Sequence, residues 1–306
     1  MVLTLAIDCS IFQRTIRACT GLVVVMKCII FNADDFGRSE RENWAIVQTI
    51  ANGPVRSTTV MANMPFASAI RSTSAQFPLL GVGVHLNLTE GRPVLSPHLI
   101  PSLVDRNGVF WRKRQLLMRC CLGSINKSEV ITELRAQILR VMEWVGEITH
   151  VDTHQDILIF PCVMPAILEV LDSLKIQKIR TENIFRIPRS LAKEVYGNTH
   201  AAIISDRLFR PLWSVIKKYR GNKLHNCGLH GTNYILMGAP GYGNAPVMLD
   251  VILLWWKYVL PQLPDATFEV AVHPGLSPAE VAVLTDPRMT RLLKIFGVRV
   301  LNFSDV

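Results

Sequence analysis

The stretch MKCIIFNADDFG, residues 26–37, ends an apolar run in two adjacent carboxylates, Asp34 and Asp35, and then a glycine. Like charges side by side repel, so a buried segment that ends in two of them is expected to use them. The other unusual polar residues are His85 in GVGVHLNLTEG, the group Asp152, His154 and Asp156 in VDTHQD, and His273 in VAVHPG. Two imidazoles and a carboxylate form a common facial set for a divalent cation, with positions left open for water and substrate. A second carboxylate near that water can act as general base, and a histidine across the site can protonate a leaving group. These are the parts of a metal-assisted hydrolase.

Each residue taken alone has a plainer explanation. His85 could be a satisfied structural histidine, Asp34 and Asp35 a helix cap with a solvated neighbour, and His273 a strand end before a turn. DTHQD could be a surface loop with a capping Asp. Against that, period-two geometry puts Asp152, His154 and Asp156 on one face of an extended segment, where a carboxylate two residues from an imidazole can share a cation with it or orient it. All of these residues also fall at the carboxyl ends of apolar runs. In α/β folds that is where functional groups gather.

The elements that must position them follow from periodicity. KCIIFNADD, VRSTTVMAN, GVGVHLNL, THVDTH, QKIRT, TFEVAVH and VRVLNF read as strands. Helical spacing predicts helices from Ser39, the N-cap, to Asn52, near 66–76, at 113–122, 127–145, 163–174, 203–219, 249–260 and 286–296. Residues 92–112 read as a long loop, and GAPGYGNAP at 238–246 as a surface loop without the G-K-[ST] of a phosphate loop. DFG matches the kinase magnesium loop, but the Gly-rich loop, strand lysine and catalytic loop of a kinase do not accompany it. Strands alternating with helices imply a mostly parallel α/β sheet or barrel.

Apolar residues make up 49% of the 306-residue chain, enough for a large core and against global disorder. The net charge of +9 would suit an anionic partner, but zinc-finger, helix-turn-helix and RNA-binding signatures are missing, so nucleic acid is not expected. The seven cysteines form no C-x-x-C pair and are expected to be buried thiols of a reducing, cytoplasmic compartment. LDVILLWWKYVL at 249–260 is too short to span a bilayer and reads as a buried helix. Residues 1–25 are expected to be a mis-assigned start or a disordered extension, because their arginines follow the apolar stretch where a secretory signal would place basic residues first. Residues 26–306 are then expected to form one domain.

FNADDFGRSERENWAI, STTVMANMPFASAI, GVGVHLNLTEGRPVL, THVDTHQDILIFP and VAVHPG resemble the successive motifs of the YdjC-like carbohydrate deacetylases, the chito-oligosaccharide deacetylase family. The resemblance runs from about Lys27 to Gly275 and is weak between 186 and 246. It implies a distorted (β/α) barrel like that of polysaccharide deacetylases, and removal of an acetyl group from an N-acetylated sugar. It also implies a divalent metal, Mg²⁺ or Zn²⁺, on Asp35, His85 and His154, with Asp34 as general base and His273 as general acid. Arg180 matches a family arginine that steadies a carboxylate or contacts substrate. Asp152 and Asp156 would stand on the substrate side or behind the ligands. The family pattern D-x-H-x-H-x-H reads DTHQDIL here, with Asp156 and Leu158 in place of two histidines. That departure keeps open a non-catalytic carbohydrate-binding or regulatory member. The hopanoid-biosynthesis branch of the family would place a glycolipid substrate at a membrane surface, which the basic-aromatic FWRKRQLLMR would suit, although that segment also reads as an ordinary amphipathic helix. The resemblance allows a homodimer.

Overall fold

The computed structural model describes residues 26–185, 221, 223–236 and 249–306. The expectations for residues 1–25, for a helix at 203–219 and for the 238–246 loop lie outside the described residues. The strands are β1 (Cys28–Phe36), β2 (Ser57–Val60), β3 (Gly81–Leu86), β4 (Val151–Thr153), β5 (Ile184–Phe185), β6 (Tyr234–Leu236), β7 (Thr267–Val272) and β8 (Arg299–Val300). They pair in parallel in the order β4-β3-β2-β1-β7-β6-β5, with β8 beside the start of β1. Parallel bridges from Val151 to Ile179 and from Lys178 to His230 carry the sheet round from its β4 edge towards β5 and β6. The expected distorted (β/α) barrel of parallel strands is what the chain forms.

The helices that cover it are α1 (Glu40–Asn52), α2 (Ile70–Gln76), α3 (Lys113–Cys121), α4 (Lys127–Val145), α5 (Val163–Ser173), α6 (Leu249–Val259), α7 (Pro278–Thr285) and α8 (Pro287–Ile295). A parallel sheet covered in this way is buried on both faces, and all nine residues of β1 are buried. Alternation divides the strands' side chains between two environments. Val82, Val84 and Leu86 of β3, and Ile29, Phe31 and Ala33 of β1, join the apolar core beneath the helices. The alternate positions face the barrel interior, which is polar: Asn32 Nδ2 donates to Thr59 Oγ1 at 3.2 Å, and His85 meets Asp152.

Ser39 caps α1 as expected, its hydroxyl accepting from Glu42 N at 3.1 Å. The long α4 is capped by Asn126 and buries Val130, Leu134, Ile138 and Val141 along one side. On the same helix Glu133 accepts from Val94 N and Leu95 N at 2.9 and 3.0 Å, and Gln137 brackets Asn87 through its main-chain N and O. The loop after β3 is thereby fastened to α4. The predicted buried helix at 249–260 is α6, which buries Trp255 and Trp256. No described helix is long and apolar enough to cross a membrane.

Three expectations change. QKIRT makes only isolated bridges, whereas the two- and three-residue strands β5 and β6 and the helix α7 had no sequence assignment. Strands that short carry too few residues for a period to register. Helix α7 did have a signal in S-P-A-E, with Ser277 Oγ accepting from Glu280 N and Pro278 in the first turn. Finally, Cys121 and Cys227 are exposed, and Cys120 and Cys162 are joined in a disulfide with Cα atoms 5.8 Å apart, which corrects the expectation of buried thiols. Their 42-residue separation is closed by the packing of α3 near the start of α5, a tertiary contact that spacing does not reveal.

His150 lies fully buried against the backbone of β3 and stacks on Phe303 with ring centroids 3.6 Å apart. A Cβ at residue 83 would come within 2.5 Å of the imidazole, so Gly83 is what lets the ring lie there. Burial pushes the His150 pKa down to about 3, so the folded protein holds the ring neutral. The unfolded chain takes up a proton near pH 6.5, hence stability is lost as pH falls from about 6.5 towards 3, by about 2 kcal/mol at pH 5. Urea denaturation at pH 7.5 and pH 5 should show His150→Phe losing less stability than the wild type over that interval. Equal losses would mean that other groups govern the acid response.

Candidate active site

The carboxyl end of β1 is irregular, and the irregularity answers the puzzle of the adjacent carboxylates. The register with β2 runs Ala33 to Thr58 and then Phe36 to Val60, which leaves both Asp34 and Asp35 opposite Thr59. This is a β-bulge, and Asp35 takes a left-handed backbone with φ of 67°. In a regular strand the two side chains would point to opposite faces. With the bulge both enter one polar cavity, at a cost of about 1–2 kcal/mol for a non-glycine residue at positive φ.

Asp35 Oδ1 stands 3.3 Å from His85 Nε2 and 3.0 Å from His154 Nδ1, and those two nitrogens are 3.3 Å apart. The three atoms form a nearly equilateral triangle. Zinc ligands bonded at about 2.0–2.1 Å in a tetrahedron lie about 3.3 Å apart, and magnesium ligands at the same bond length in an octahedron about 3.0 Å apart. The triangle fits either ion. Asp35 Oδ1 is buried without a well-directed hydrogen-bond donor, as expected of an atom whose partner is a cation.

Each imidazole is held from behind. His85 Nδ1 is 2.6 Å from Asp152 Oδ1, whose second oxygen accepts from Thr59 Oγ1 at 3.1 Å. His154 Nε2 is 3.2 Å from Glu90 Oε2, and Glu90 Oε1 accepts from Arg38 Nε at 2.7 Å. These contacts fix His85 to present Nε2 and His154 to present Nδ1. Burial works against a charge on His85, but Asp152 and Asp35 more than reverse it and raise its pKa well above the usual value. Protons and a divalent cation bound there would therefore compete for the same triangle.

Asp34 faces the other way. Its carboxylate takes a forked pair from Arg180, Nη1 to Oδ2 at 2.8 Å and Nη2 to Oδ1 at 2.7 Å, with Asn32 Nδ2 also on Oδ1 at 2.8 Å. Burial alone would raise its pKa, yet the Arg180 guanidinium holds it well below the usual carboxylate range. Arg180 also reaches Asp152 Oδ2 at 2.7 Å and Glu269 Oε1 at 2.6 Å. A second acidic cluster, Asp34, His85 and Asp152, is thus already served by an internal cation. His273 Nε2 lies 3.7 Å from Asp34 Oδ2, and its main-chain N donates to Glu280, a carboxylate that burial pushes up to about 7.

Asp34, Asp35, His85, Asp152, His154, Arg180 and His273 therefore converge, whereas Asp156 does not. The extended segment ends at Thr153, and Gln155 and Asp156 come next at φ of 53° and 57° in a turn, so Asp156 leaves the shared face and is exposed. Period-two reasoning failed because the strand stops before its period can continue. Leu158 is buried in the apolar core rather than in the cavity. Glu90 was missed by sequence reasoning. Its signal was the NLTEG turn, in which the buried Asn87 accepts from Thr89 N and Glu90 N at 2.9 and 3.1 Å and donates to Glu90 O at 2.7 Å.

The family described as YdjC-like protein matches residues 28–294. A carbohydrate deacetylase of Geobacillus stearothermophilus is 38% identical over 163 residues, which is 53% of this chain and 63% of that protein. A chitooligosaccharide deacetylase of Yersinia pestis (strain Pestoides F) is 37% identical over 142 residues, 46% of this chain and 54% of that protein. The chain thus spans between about half and two thirds of the length of these curated relatives. A crystal structure from Enterococcus faecalis V583, of a protein with a proposed role in cellobiose-phosphate cleavage, shares the fold with a TM-score of 0.64. It is 22% identical, and the match covers 91% of this chain and 98% of that one.

Substitutions at two positions test this geometry. Arg180→Ala leaves three buried carboxylates without their shared cation, and urea denaturation should show a loss of about 3–5 kcal/mol. A loss below about 1 kcal/mol would mean that the ion pairs contribute little. Glu90→Ala should weaken Zn²⁺ or Co²⁺ binding by about 10–100-fold in calorimetric titration, and Glu90→Gln by less, because its amide oxygen can still accept from His154. Unchanged affinity in Glu90→Ala would remove Glu90 from the metal-supporting set.

Proposed function

The chain belongs to the YdjC-like family, and on that premise we propose that it is a metal-dependent hydrolase that removes an acetyl group from an N-acetylated sugar. The observation that carries this reading is the triangle of Asp35 Oδ1, His85 Nε2 and His154 Nδ1, with edges of 3.0–3.3 Å, beside an ionised Asp34. The names of the partly matching relatives support a carbohydrate substrate of the chito-oligosaccharide class; an N-acetylglucosaminyl glycolipid, which would carry the same acetamido group, is the other substrate of this reading.

In this reading Asp35, His85 and His154 hold a divalent ion, Mg²⁺ or Zn²⁺. When bound, such an ion polarises the amide carbonyl and acidifies water. Asp34 is the proton acceptor. A carboxylate offers about four lone-pair directions, and Arg180 and Asn32 occupy three of them here. The one left is on Oδ2, the oxygen that lies 3.7 Å from His273 Nε2. Arg180 keeps the acceptor ionised and fixed, at the cost of making it a weak base. His273 would deliver a proton to the departing amine nitrogen, with its backbone held by Glu280. Proton acceptor and donor thus stand side by side, so that one proton can be taken from water and another returned to the leaving group within one site.

The test is acetate release from diacetylchitobiose by protein loaded in parallel with Mg²⁺, Zn²⁺ or Co²⁺. Asp34→Asn should lower kcat by about 100-fold or more while leaving metal affinity within a few-fold. His85→Ala should lose metal binding and activity together. A wild-type chain that binds metal and sugar but releases no acetate would instead point to the non-catalytic carbohydrate-binding reading.

A further inference from the structure

Helix α3 exposes a surface that the reaction does not use. Leu116 and Cys120 pack inward, and on the opposite side Arg114, Met118 and Leu122 succeed one another at intervals of four. Met118 is 57% exposed and Leu122 71%, with Leu117 at 37% beside them, so three large apolar side chains adjoin in water. Cations predominate in the sequence around them. Between Arg106 and Ser128 there are six, Arg106, Arg112, Lys113, Arg114, Arg119 and Lys127, and no Asp or Glu; Lys127 is paired with Glu169 at 2.8 Å, which leaves the other five to give the strip its positive surround. Arg119 lies over the Trp111 ring with its guanidinium carbon 3.8 Å from the centroid, which pins one of these charges to the base of the strip.

The place of the strip in the fold matters as much as its composition. Strands β3 and β4 are parallel neighbours, so α4, which connects them, runs back from their carboxyl ends to their amino ends. Its first residue, Lys127, therefore lies at the end of the barrel that carries Asp35, His85 and His154, and α3 immediately precedes it. We propose that α3 docks the protein on an anionic lipid bilayer, with the catalytic end of the barrel held near the membrane surface. Apolar side chains projecting from a short helix with a basic surround are what an interfacial helix needs: the apolar groups enter the headgroup boundary while the cations meet anionic headgroups. A nucleic acid would use the cations but leave Met118 and Leu122 against a phosphate backbone. A second copy of this chain would bury the apolar groups, but a two-fold contact would face cations with cations. A bilayer satisfies both halves of the strip.

The proposal goes beyond the proposed reaction and does not depend on it. The test is sedimentation of the full chain with vesicles of phosphatidylcholine alone and of phosphatidylcholine mixed with phosphatidylglycerol, at low and high salt. Binding is expected only with phosphatidylglycerol, and it should weaken as salt rises. Met118→Ser combined with Leu122→Ser should reduce partitioning about 10-fold or more. Arg112→Gln, Lys113→Gln and Arg114→Gln together should reduce it about 100-fold. Both variants alter exposed or half-exposed residues outside the catalytic cluster, so acetate release from a soluble oligosaccharide, and the thermal melt, should match the wild type. Absence of wild-type binding to the anionic vesicles would overturn the proposal. So would equal binding to both vesicle types, or variants that bind as well as the wild type. A dimer in solution that Met118→Ser and Leu122→Ser dissociate would reassign the strip to self-association. An intact deacetylase that ignores vesicles would sink this inference alone, and a vesicle-binding protein without hydrolytic activity would sink the reaction alone.

Discussion

Three buried carboxylates share one guanidinium, and the cavity depends on that arrangement. Asp34, Asp152 and Glu269 each lie within 2.8 Å of an Arg180 nitrogen, and all three carboxylates are buried. Uncompensated, charges so placed would protonate or force the cavity open. Arg180 suits the position because its planar fork donates in several fixed directions, whereas a lysine would offer one compact charge. Its pull is shared unequally: Asp34 is held well below the usual carboxylate range, while burial keeps Glu269 up at about 7 despite the same neighbour. The cavity thus keeps Asp34 charged without carrying three full negative charges.

The bulge in β1 is the second constraint, because it decides which groups the guanidinium must serve. Two successive residues on one strand are sent into one cavity, one towards Arg180 and one towards the imidazoles. The sequence shows both carboxylates but not the device. Adjacent aspartates could equally mark a turn or a cap, and only the pairing with β2 reveals that both oppose Thr59.

Much of the rest was legible, for reasons that can be stated residue by residue. Strand ends such as HLNL and VAVH carry a histidine after an apolar, β-branched run, and that contrast between buried run and polar terminus is local. The helices at 127–145 and 249–259 repeat their apolar positions long enough for the period to be counted. Two features were hidden because they depend on contacts distant in sequence. Glu90 matters only once β4 brings His154 to it, and Cys120 meets Cys162 only when α3 and α5 pack. Asp156 misled because alternation was extended past the point where the strand ends.

That turn also explains how the chain departs from its family pattern without losing the cluster. His154 is the last residue before the left-handed pair Gln155 and Asp156, so the chain turns away from the cavity beyond it, and Leu158 joins the apolar core. The two imidazoles are consequently supported in different ways. His85 sits on the inner side, backed by a fully buried Asp152 that Thr59 and Arg180 also hold. His154 sits towards solvent, backed by Glu90 and Arg38, whose side chains are each 27% exposed. Strand residues impose the first arrangement and a turn the second, so the His85 side of the triangle is the fully buried one and the His154 side the one nearer solvent.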